Sequence, residues 1–187
     1  MNLSKTESAP SLADRLITYG QSGAYPFHMP GHKRQFHPLF DPYTMDITEI
    51  YGFDNLHHAE GILLEAQQRA AALYHASETF YLVNGSTCGI LAAVAAATKR
   101  GGKLLMARTC HKAAYHAALL NNLEVSYLYP AADMTRGLSG AIAPDEVERM
   151  LKKDASLRTV LITSPTYDGV CSDVRRIAEI VHQYDGI

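Results

Sequence analysis

Cysteine is scarce in this sequence, and long apolar runs are missing. The three cysteines, Cys88, Cys110 and Cys171, lie far apart and include no Cys-x-x-Cys pair, which is typical of a protein in a reducing compartment. No run of 18 apolar residues could span a membrane. Residues 1–10 lack the apolar core of a signal peptide. We therefore expect a cytoplasmic protein with no membrane partner.

A strong charge imbalance and the common nucleotide-binding motifs are also absent. The net charge is −2, so the composition offers neither a basic surface for nucleic acid nor an acidic tail. Neither G-x-G-x-x-G nor the P-loop occurs, which argues against a nucleotide-dependent enzyme. The sequence does have 187 residues, 47% of them hydrophobic, which is enough for one ordinary domain with a real core.

A candidate phosphate-binding turn is the most informative stretch. The aromatic and β-branched residues 79–83 predict a buried strand, and the small apolar residues 90–97 predict a buried helix. Between them, Gly85 makes the turn, and Ser86 and Thr87 supply hydroxyl groups. Free N–H groups and the helix dipole make such a turn a ready anion site. The alternative is that Ser86 only caps the helix.

Strands and helices alternate through the rest of the chain. Besides 79–83, we predict strands at 103–107, 123–129 and 159–163, and helices at 11–20, 62–74, 87–98, 111–121, from Pro144 onward, and at 173–184. This alternation predicts a parallel α/β sheet with right-handed crossovers. Ligands of such sheets bind beyond the carboxyl ends of the strands.

Three of these strand ends carry polar segments rich in hydrogen-bond donors, at 84–87, 108–112 and 164–169. One such end would mean little, but three together indicate a binding site. His111 is the most reactive side chain among them. It either caps the helix that follows or faces a ligand.

The histidines do not indicate a metal site. His28 and His32 are four residues apart, but the prolines and the glycine around them exclude a helix. His111 and His116 would lie on different faces of a helix. Zinc sites need three or four converging ligands, so we expect no bound metal.

Four segments together resemble the Orn/Lys/Arg decarboxylases. They are Pro-Phe-His-Met-Pro-Gly-His-Lys at 26–33, Asn-Gly-Ser-Thr at 84–87, His-Lys at 111–112 and Ser-Pro-Thr-Tyr-Asp-Gly at 164–169, in this order and spacing. The resemblance begins at about Leu12 and implies a pyridoxal-phosphate enzyme. It implies an α/β fold, the three-layer parallel sheet of the aspartate-aminotransferase type, here truncated.

The resemblance also implies an organisation of the chain. Residues 1–60 would form an N-terminal helix and the active-site-entrance loops, and residues 61–187 would form the first part of the cofactor-binding large domain. His28, His32 and Lys33 would lie near the active-site entrance.

The cofactor contacts follow from the same resemblance. Ser86 and Thr87, in the turn made by Gly85, would hold the cofactor phosphate. His111 would stack on the pyridine ring, and Thr166 would lie near the ring hydroxyl. The chain departs from the family pattern at Ala113, where serine or threonine is usual after His-Lys.

Two parts of the family's catalytic apparatus do not occur in these 187 residues. They are the pyridinium-binding aspartate of an Asp-Glu-Ala-His segment and the Schiff-base lysine after a later Ser-x-His; Lys112 has no such role. The chain also stops at Ile187, where an apolar strand should begin. We therefore expect the N-terminal part of a decarboxylase of arginine, lysine or ornithine, inactive by itself and without a catalytic residue of its own. The full-length protein would be a homodimer or a higher oligomer.

Two other hypotheses stay open. The chain could be a non-catalytic protein that binds a full-length protomer, or it could be another phosphate-binding α/β enzyme. The resemblance to the decarboxylases also implies that the strands between residues 103 and 163 form a small parallel sheet that excludes 79–83. Unpaired edges of that sheet would make the isolated chain prone to aggregate or to unfold in part.

Overall fold

The computed structural model describes residues 11–28, 33, 41–133, 135 and 137–187, in two units that divide between Glu65 and Ala66. Helices occupy Leu12–Gln21 (α1), Ile62–Tyr74 (α2), Gly85–Ala97 (α3), Lys112–Leu120 (α4), Pro144–Lys153 (α5) and Val174–Gln183 (α6). Strands occupy Lys103–Ala107 (β1), Glu124–Leu128 (β2), Ala132–Asp133 (β3), Leu138–Ser139 (β4) and Val160–Leu161 (β5).

In the N-terminal unit, α1 starts at the predicted serine cap. The Ser11 hydroxyl accepts a hydrogen bond from the backbone N–H of Asp14 at 3.2 Å, and the Asp14 carboxylate accepts one from the Ser11 N–H at 3.1 Å. This reciprocal pair satisfies two N–H groups that would otherwise lack partners at the helix start. Local sequence therefore defines α1, since none of its side chains is buried.

The Asp54 carboxylate accepts four backbone hydrogen bonds at the start of α2. Oδ1 of Asp54 accepts hydrogen bonds from the backbone N–H groups of Asn55 (2.9 Å) and Glu60 (3.1 Å). Oδ2 accepts from those of Gly61 (2.8 Å) and Leu63 (3.1 Å). These N–H groups favour the ionised form and lower the pKa of Asp54 from 3.8 to about 2, with the bond from Glu60 contributing most. The carboxylate thus stabilises the loop and the first turn of α2 together.

The hydrogen bonds from the loop and from α2 to the Asp54 carboxylate should break in acid. Because the native pKa lies below the ordinary value, the contribution of Asp54 to stability is complete above about pH 4 and is lost as the pH falls through about 2. Amide exchange at Gly61 and Leu63, measured by NMR and corrected for intrinsic rates, should accelerate across that window. Asp54→Asn should abolish the pH dependence, whereas Asp46→Asn, at an exposed carboxylate, should preserve it. Corrected exchange that stays constant with pH in the wild type would contradict the assignment.

In the second unit, β1 is the central strand of a three-stranded parallel sheet ordered β2-β1-β5. β2 pairs with all of β1, from Lys103 opposite Glu124 to Ala107 opposite Leu128. β5 pairs with β1 on the other side through two residues. β3 and β4 form a separate antiparallel pair. The three predicted strands between residues 103 and 163 are confirmed as a parallel sheet, with β5 shorter than expected.

The connections place helices on both faces of this sheet. α4 leads from β1 to its neighbour β2, and α5 leads back from β2, past β1, to β5. Two right-handed crossovers in opposite directions put α4 and α5 on opposite faces. α3 packs on α4, and α6 packs on α5. The result is the expected order of three layers, helix, sheet and helix.

The core surrounds β1, whose residues 104–107 are completely buried. Apolar side chains from α4, α5, α6, β2 and the loop before β5 pack around them; the largest fully buried ones are Leu128, Val147, Leu151, Leu157 and Ile180. Small alanines line the buried side of α4, at 113, 114, 117 and 118. They allow the helix to approach the sheet closely.

Two predictions about the segment before β1 are wrong. Residues 79–83 form no strand, and Phe80, Tyr81, Leu82 and Val83 are 46–68% exposed. α3 exists but is mostly exposed, with Val94 as its one buried residue. An apolar run shows that a segment can be buried, but burial also needs a neighbour to cover it, and the described sheet offers residues 79–83 no partner strand. The separate prediction that 79–83 stays outside this sheet is confirmed.

The outer edge of β5 carries the beginning of another parallel pairing. The backbone N–H of Ile187 donates to the Arg158 carbonyl at 2.7 Å, and the Val160 N–H donates to the Ile187 carbonyl at 2.9 Å. This alternation is the hydrogen-bond pattern of a parallel ladder. An apolar groove of about 150 Å³ lies beside it, lined by β5, α6 and Ile187.

Candidate functional site

The carboxyl ends of β1 and β5 lie side by side, and the chain leaves them toward opposite faces. β1 continues through residues 108–111 into α4, whereas β5 continues through residues 162–173 into α6. Such a divergence is the switch point at which open α/β sheets bind ligands, because the two loops separate and leave a crevice. Both polar segments that the sequence singled out at these strand ends border it.

The first turn of α3 is directed toward the same edge. The Thr159 hydroxyl donates to the carbonyl of Ala97 at 2.7 Å, which places the end of α3 beside the start of β5. α3 then leads into the start of β1, and its 13 residues span about 20 Å. The helix therefore runs back along the sheet, with Gly85 at its carboxyl-edge end. Since α3 packs on α4, Ser86 and His111 belong to helices on one face.

This first turn has free hydrogen-bond donors. Among the described residues, no group accepts a hydrogen bond from the backbone N–H of Ser86 or Thr87, and the Asn84 side chain makes no capping bond. Gly85 has φ +68°, a backbone conformation that glycine adopts without strain. Ser86 and Thr87 are exposed. Ser86 lies inside the helix, so the alternative that it only caps α3 is wrong.

His111 caps α4 through its imidazole. Its Nδ1 accepts a hydrogen bond from the Ala113 N–H at 3.1 Å, which in the neutral ring leaves the hydrogen on Nε2. The residue is nevertheless exposed at the carboxyl edge. Capping and ligand contact are thus compatible, because the cap fixes the ring and leaves its faces and Nε2–H available.

Thr166 belongs to a tight turn after β5. Its backbone N–H donates to the Val170 carbonyl at 2.9 Å, and its Oγ1 accepts from the Val170 N–H at 3.1 Å. A hydroxyl that accepts one hydrogen bond can still donate another. Thr166 therefore keeps a donor for a ligand at this edge.

Cys110 joins the two loops of the crevice. Its thiol donates to the Leu161 carbonyl and accepts from the Thr163 hydroxyl, each at 3.6 Å. Burial raises the pKa of the Cys110 thiol. The side chain therefore remains an uncharged link between the segment that carries His111 and the segment that leads to Thr166.

A further cluster at this edge was not predicted from the sequence. Arg108 lies over the rings of Tyr115 and Tyr127, with Cζ 5.4 and 5.7 Å from the ring centroids. The two tyrosine rings stack at 6.2 Å, and Tyr129 lies 6.4 Å beyond Tyr127. The only sequence signal was that Arg108 precedes His111 in a polar strand end.

The residues assigned to the entrance belong to the N-terminal unit. Tyr19 Oη lies 2.5 Å from His28 Nε2, and the Lys33 ammonium donates to the His28 carbonyl at 3.4 Å. His32 lies outside the described residues. Within the described ranges, no three histidine, cysteine or carboxylate side chains converge as a metal site, and no helix there has both the length and the apolarity that crossing a membrane requires.

Comparison with known proteins places these features in a family. The sequence matches the description "Orn/Lys/Arg decarboxylase, major domain" over residues 10–187. A Bacillus subtilis protein named "Uncharacterized protein YaaO" is 34% identical over 176 residues, covering 90% of this chain and 37% of that protein. An arginine decarboxylase of Bacillus cereus is 29% identical over 178 residues, covering 91% and 39%. The chain thus spans less than two-fifths of either relative.

Solved structures agree on the fold. The constitutive lysine decarboxylase of Escherichia coli superposes with a TM-score of 0.65 at 24% identity, covering 90% of this chain and 27% of that one. Lysine decarboxylase A of Pseudomonas aeruginosa gives 0.61 at 25% identity, covering 91% and 26%. The predicted α/β fold of the aspartate-aminotransferase type is confirmed for the part of the domain that this chain contains.

Proposed function

Because the chain belongs to the Orn/Lys/Arg decarboxylase family, we propose that it forms the N-terminal part of a pyridoxal-phosphate-dependent decarboxylase of a basic amino acid. The observation that carries this proposal is the carboxyl edge of the sheet. There the free N–H groups of α3, the capped imidazole of His111 and the turn at Thr166 border one switch point.

The first turn of α3 has the chemistry required of a phosphate holder. The unpaired N–H groups of Ser86 and Thr87 and their two exposed hydroxyl groups form a set of donors at the positive end of a helix dipole. Gly85 adds no side chain in front of them, and an added Cβ there would meet open space. A dianionic phosphate satisfies these donors better than a neutral ligand.

The other two residues would orient the cofactor ring. His111 presents a ring fixed by its bond from Ala113, suitable for stacking on an aromatic ring. Thr166 retains a hydroxyl donor for the ring hydroxyl. When bound, pyridoxal phosphate supplies an electron sink for the carbanion left by loss of the α-carboxylate. The residues of this chain would bind and orient it. We propose that the chain alone is inactive, because the Ser-x-His segment that precedes the Schiff-base lysine in the family does not occur in the 187 residues.

The remaining assignments are part of the same proposal. The substrate of the whole protein would be arginine, lysine or ornithine, in cytoplasmic polyamine metabolism, and the whole protein would be at least a homodimer. Residues 1–60 would contribute the entrance, with His28, His32 and Lys33 near its opening, and residues 61–187 would begin the cofactor domain.

A direct binding experiment tests the proposal. The isolated chain should bind pyridoxal 5′-phosphate at least about tenfold more tightly than pyridoxal, since each hydrogen bond to a charged group is worth about 1.5–3 kcal/mol. Isothermal titration with both compounds, and with inorganic phosphate as competitor, measures this preference. Equal affinity for the two compounds, or no effect of phosphate, would show that α3 does not hold the phosphate.

A further inference from the structure

We propose that Arg108 and Tyr115 form a clamp that positions the imidazole of His111 at the carboxyl edge of the sheet. The inference rests on the proposed function, in which His111 stacks on the cofactor ring. It concerns two residues that make no proposed contact with the cofactor and act through the segment 108–111.

The clamp is a closed pair of hydrogen bonds between the end of β1 and α4. The Tyr115 hydroxyl donates to the backbone carbonyl of Arg108 at 2.6 Å, and the same hydroxyl accepts from Nη1 of Arg108 at 2.5 Å. The Arg108 N–H in turn donates to the Leu128 carbonyl of β2 at 2.9 Å. One phenolic oxygen therefore fixes both the backbone and the side chain of Arg108 against the sheet.

Aromatic packing holds the guanidinium in this position. It lies over Tyr115 and Tyr127, whose rings stack with an interplanar angle of 28°. In the part of the chain that the structure describes, no carboxylate forms an ion pair with Arg108, so its charge is directed to the two rings. An arginine that served only as a solvated surface charge would not need this arrangement.

His111 lies between the two anchored residues. It follows Arg108 by three positions, and as the N-cap of α4 it precedes Tyr115 by four, about one helical turn. On the other side of the segment, Cys110 is bonded to the β5 strand end. The segment is therefore held from both sides, and the position of His111 is defined before any ligand arrives.

Nuclear magnetic resonance of the isotope-labelled chain tests the clamp without a cofactor. Tyr115→Phe removes only the hydroxyl. It should accelerate amide exchange at Ala113, which bonds to the His111 ring, by about tenfold, and it should move the His111 ring ¹⁵N signals toward a mixture of tautomers. Exchange in β1 should stay unchanged. Tyr127→Phe is the matched control, because within the described contacts the Tyr127 hydroxyl makes no hydrogen bond while its ring stacks in the same cluster. This variant should leave the amide exchange of Ala113 and the His111 ring signals unchanged.

Two results would overturn the inference. One is Tyr115→Phe with unaltered His111 signals and Ala113 exchange. The other is faster exchange by the same factor throughout residues 66–187, which would mean a general loss of stability. Titration with pyridoxal 5′-phosphate separates the two proposals. Failure of the wild type to bind it would contradict the phosphate assignment, whereas the His111 signals report on the clamp independently.

Discussion

Leu105→Ala is expected to destabilise the second unit by about 2–5 kcal/mol, because it creates a cavity that the neighbouring side chains fill only in part. Leu105 is completely buried in the central strand, and its N–H is bonded to the Thr159 carbonyl at 3.0 Å. Domains of this size are stable by only about 5–15 kcal/mol. The variant should therefore unfold at a much lower urea concentration, as measured by circular dichroism.

Leu119→Ala is the matched control for this experiment. The same atoms are removed from a side chain of α4 that is 77% exposed, so the free energy of unfolding should change by less than about 0.5 kcal/mol. Equal losses in the two variants would mean that β1 is not the centre of the core. A non-cooperative transition in the wild type would instead support the expectation that the isolated chain is partly unfolded.

Ser86→Glu is expected to weaken pyridoxal 5′-phosphate binding by about 100-fold or more, because it replaces a hydroxyl donor by a negative charge where the phosphate is proposed to lie. The same change should not destabilise the fold. A carboxylate in the first turn of a helix interacts favourably with the helix dipole. Loss of affinity with an unchanged or raised melting temperature would therefore report on the anion site itself.

Ala92→Glu provides the comparison for Ser86→Glu. Ala92 is an exposed residue of α3 beyond its first turn, so the variant has the same net charge with the carboxylate away from the proposed phosphate site. Its affinity for pyridoxal 5′-phosphate should stay within about twofold of the wild type, since exposed charges interact weakly in water. Equal losses in both variants would mean that the overall charge, and not the first turn, governs binding.

The sequence was sufficient to predict the parallel sheet because β1 and β5 lie in short apolar runs, β2 lies in a stretch rich in aliphatic residues and tyrosine, and helical segments separate the three. It was not sufficient for residues 79–83, which have the composition of a strand but no partner in the described sheet. It also overestimated the burial of α3. Its alanines are compatible with a buried helix, but packing of neighbours determines burial, and local composition does not report on distant neighbours.

In the candidate site, too, the sequence predicts the local features but not the contacts between distant segments. The turn at Gly85, the cap at His111 and the turn at Thr166 are local features, so their residue types indicate them directly. The link through Cys110 and the stack of Arg108 on Tyr115 and Tyr127 connect segments far apart in sequence or depend on the exact path of a loop. A single sequence does not specify such contacts.

The central position of β1 has a consequence for synthesis on the ribosome. β1 can pair with β2 soon after both strands leave the ribosome, but its other edge stays unpaired until β5 has been synthesised. The hydrogen bond from the Cys110 thiol to the Leu161 carbonyl likewise cannot form until 51 more residues have been added. At about 5–20 residues per second, the synthesis of these residues takes roughly 3–10 s. During this interval the nascent chain exposes an open strand edge and an unbonded thiol, so the second half of the switch-point crevice is the last part of this sheet to be completed.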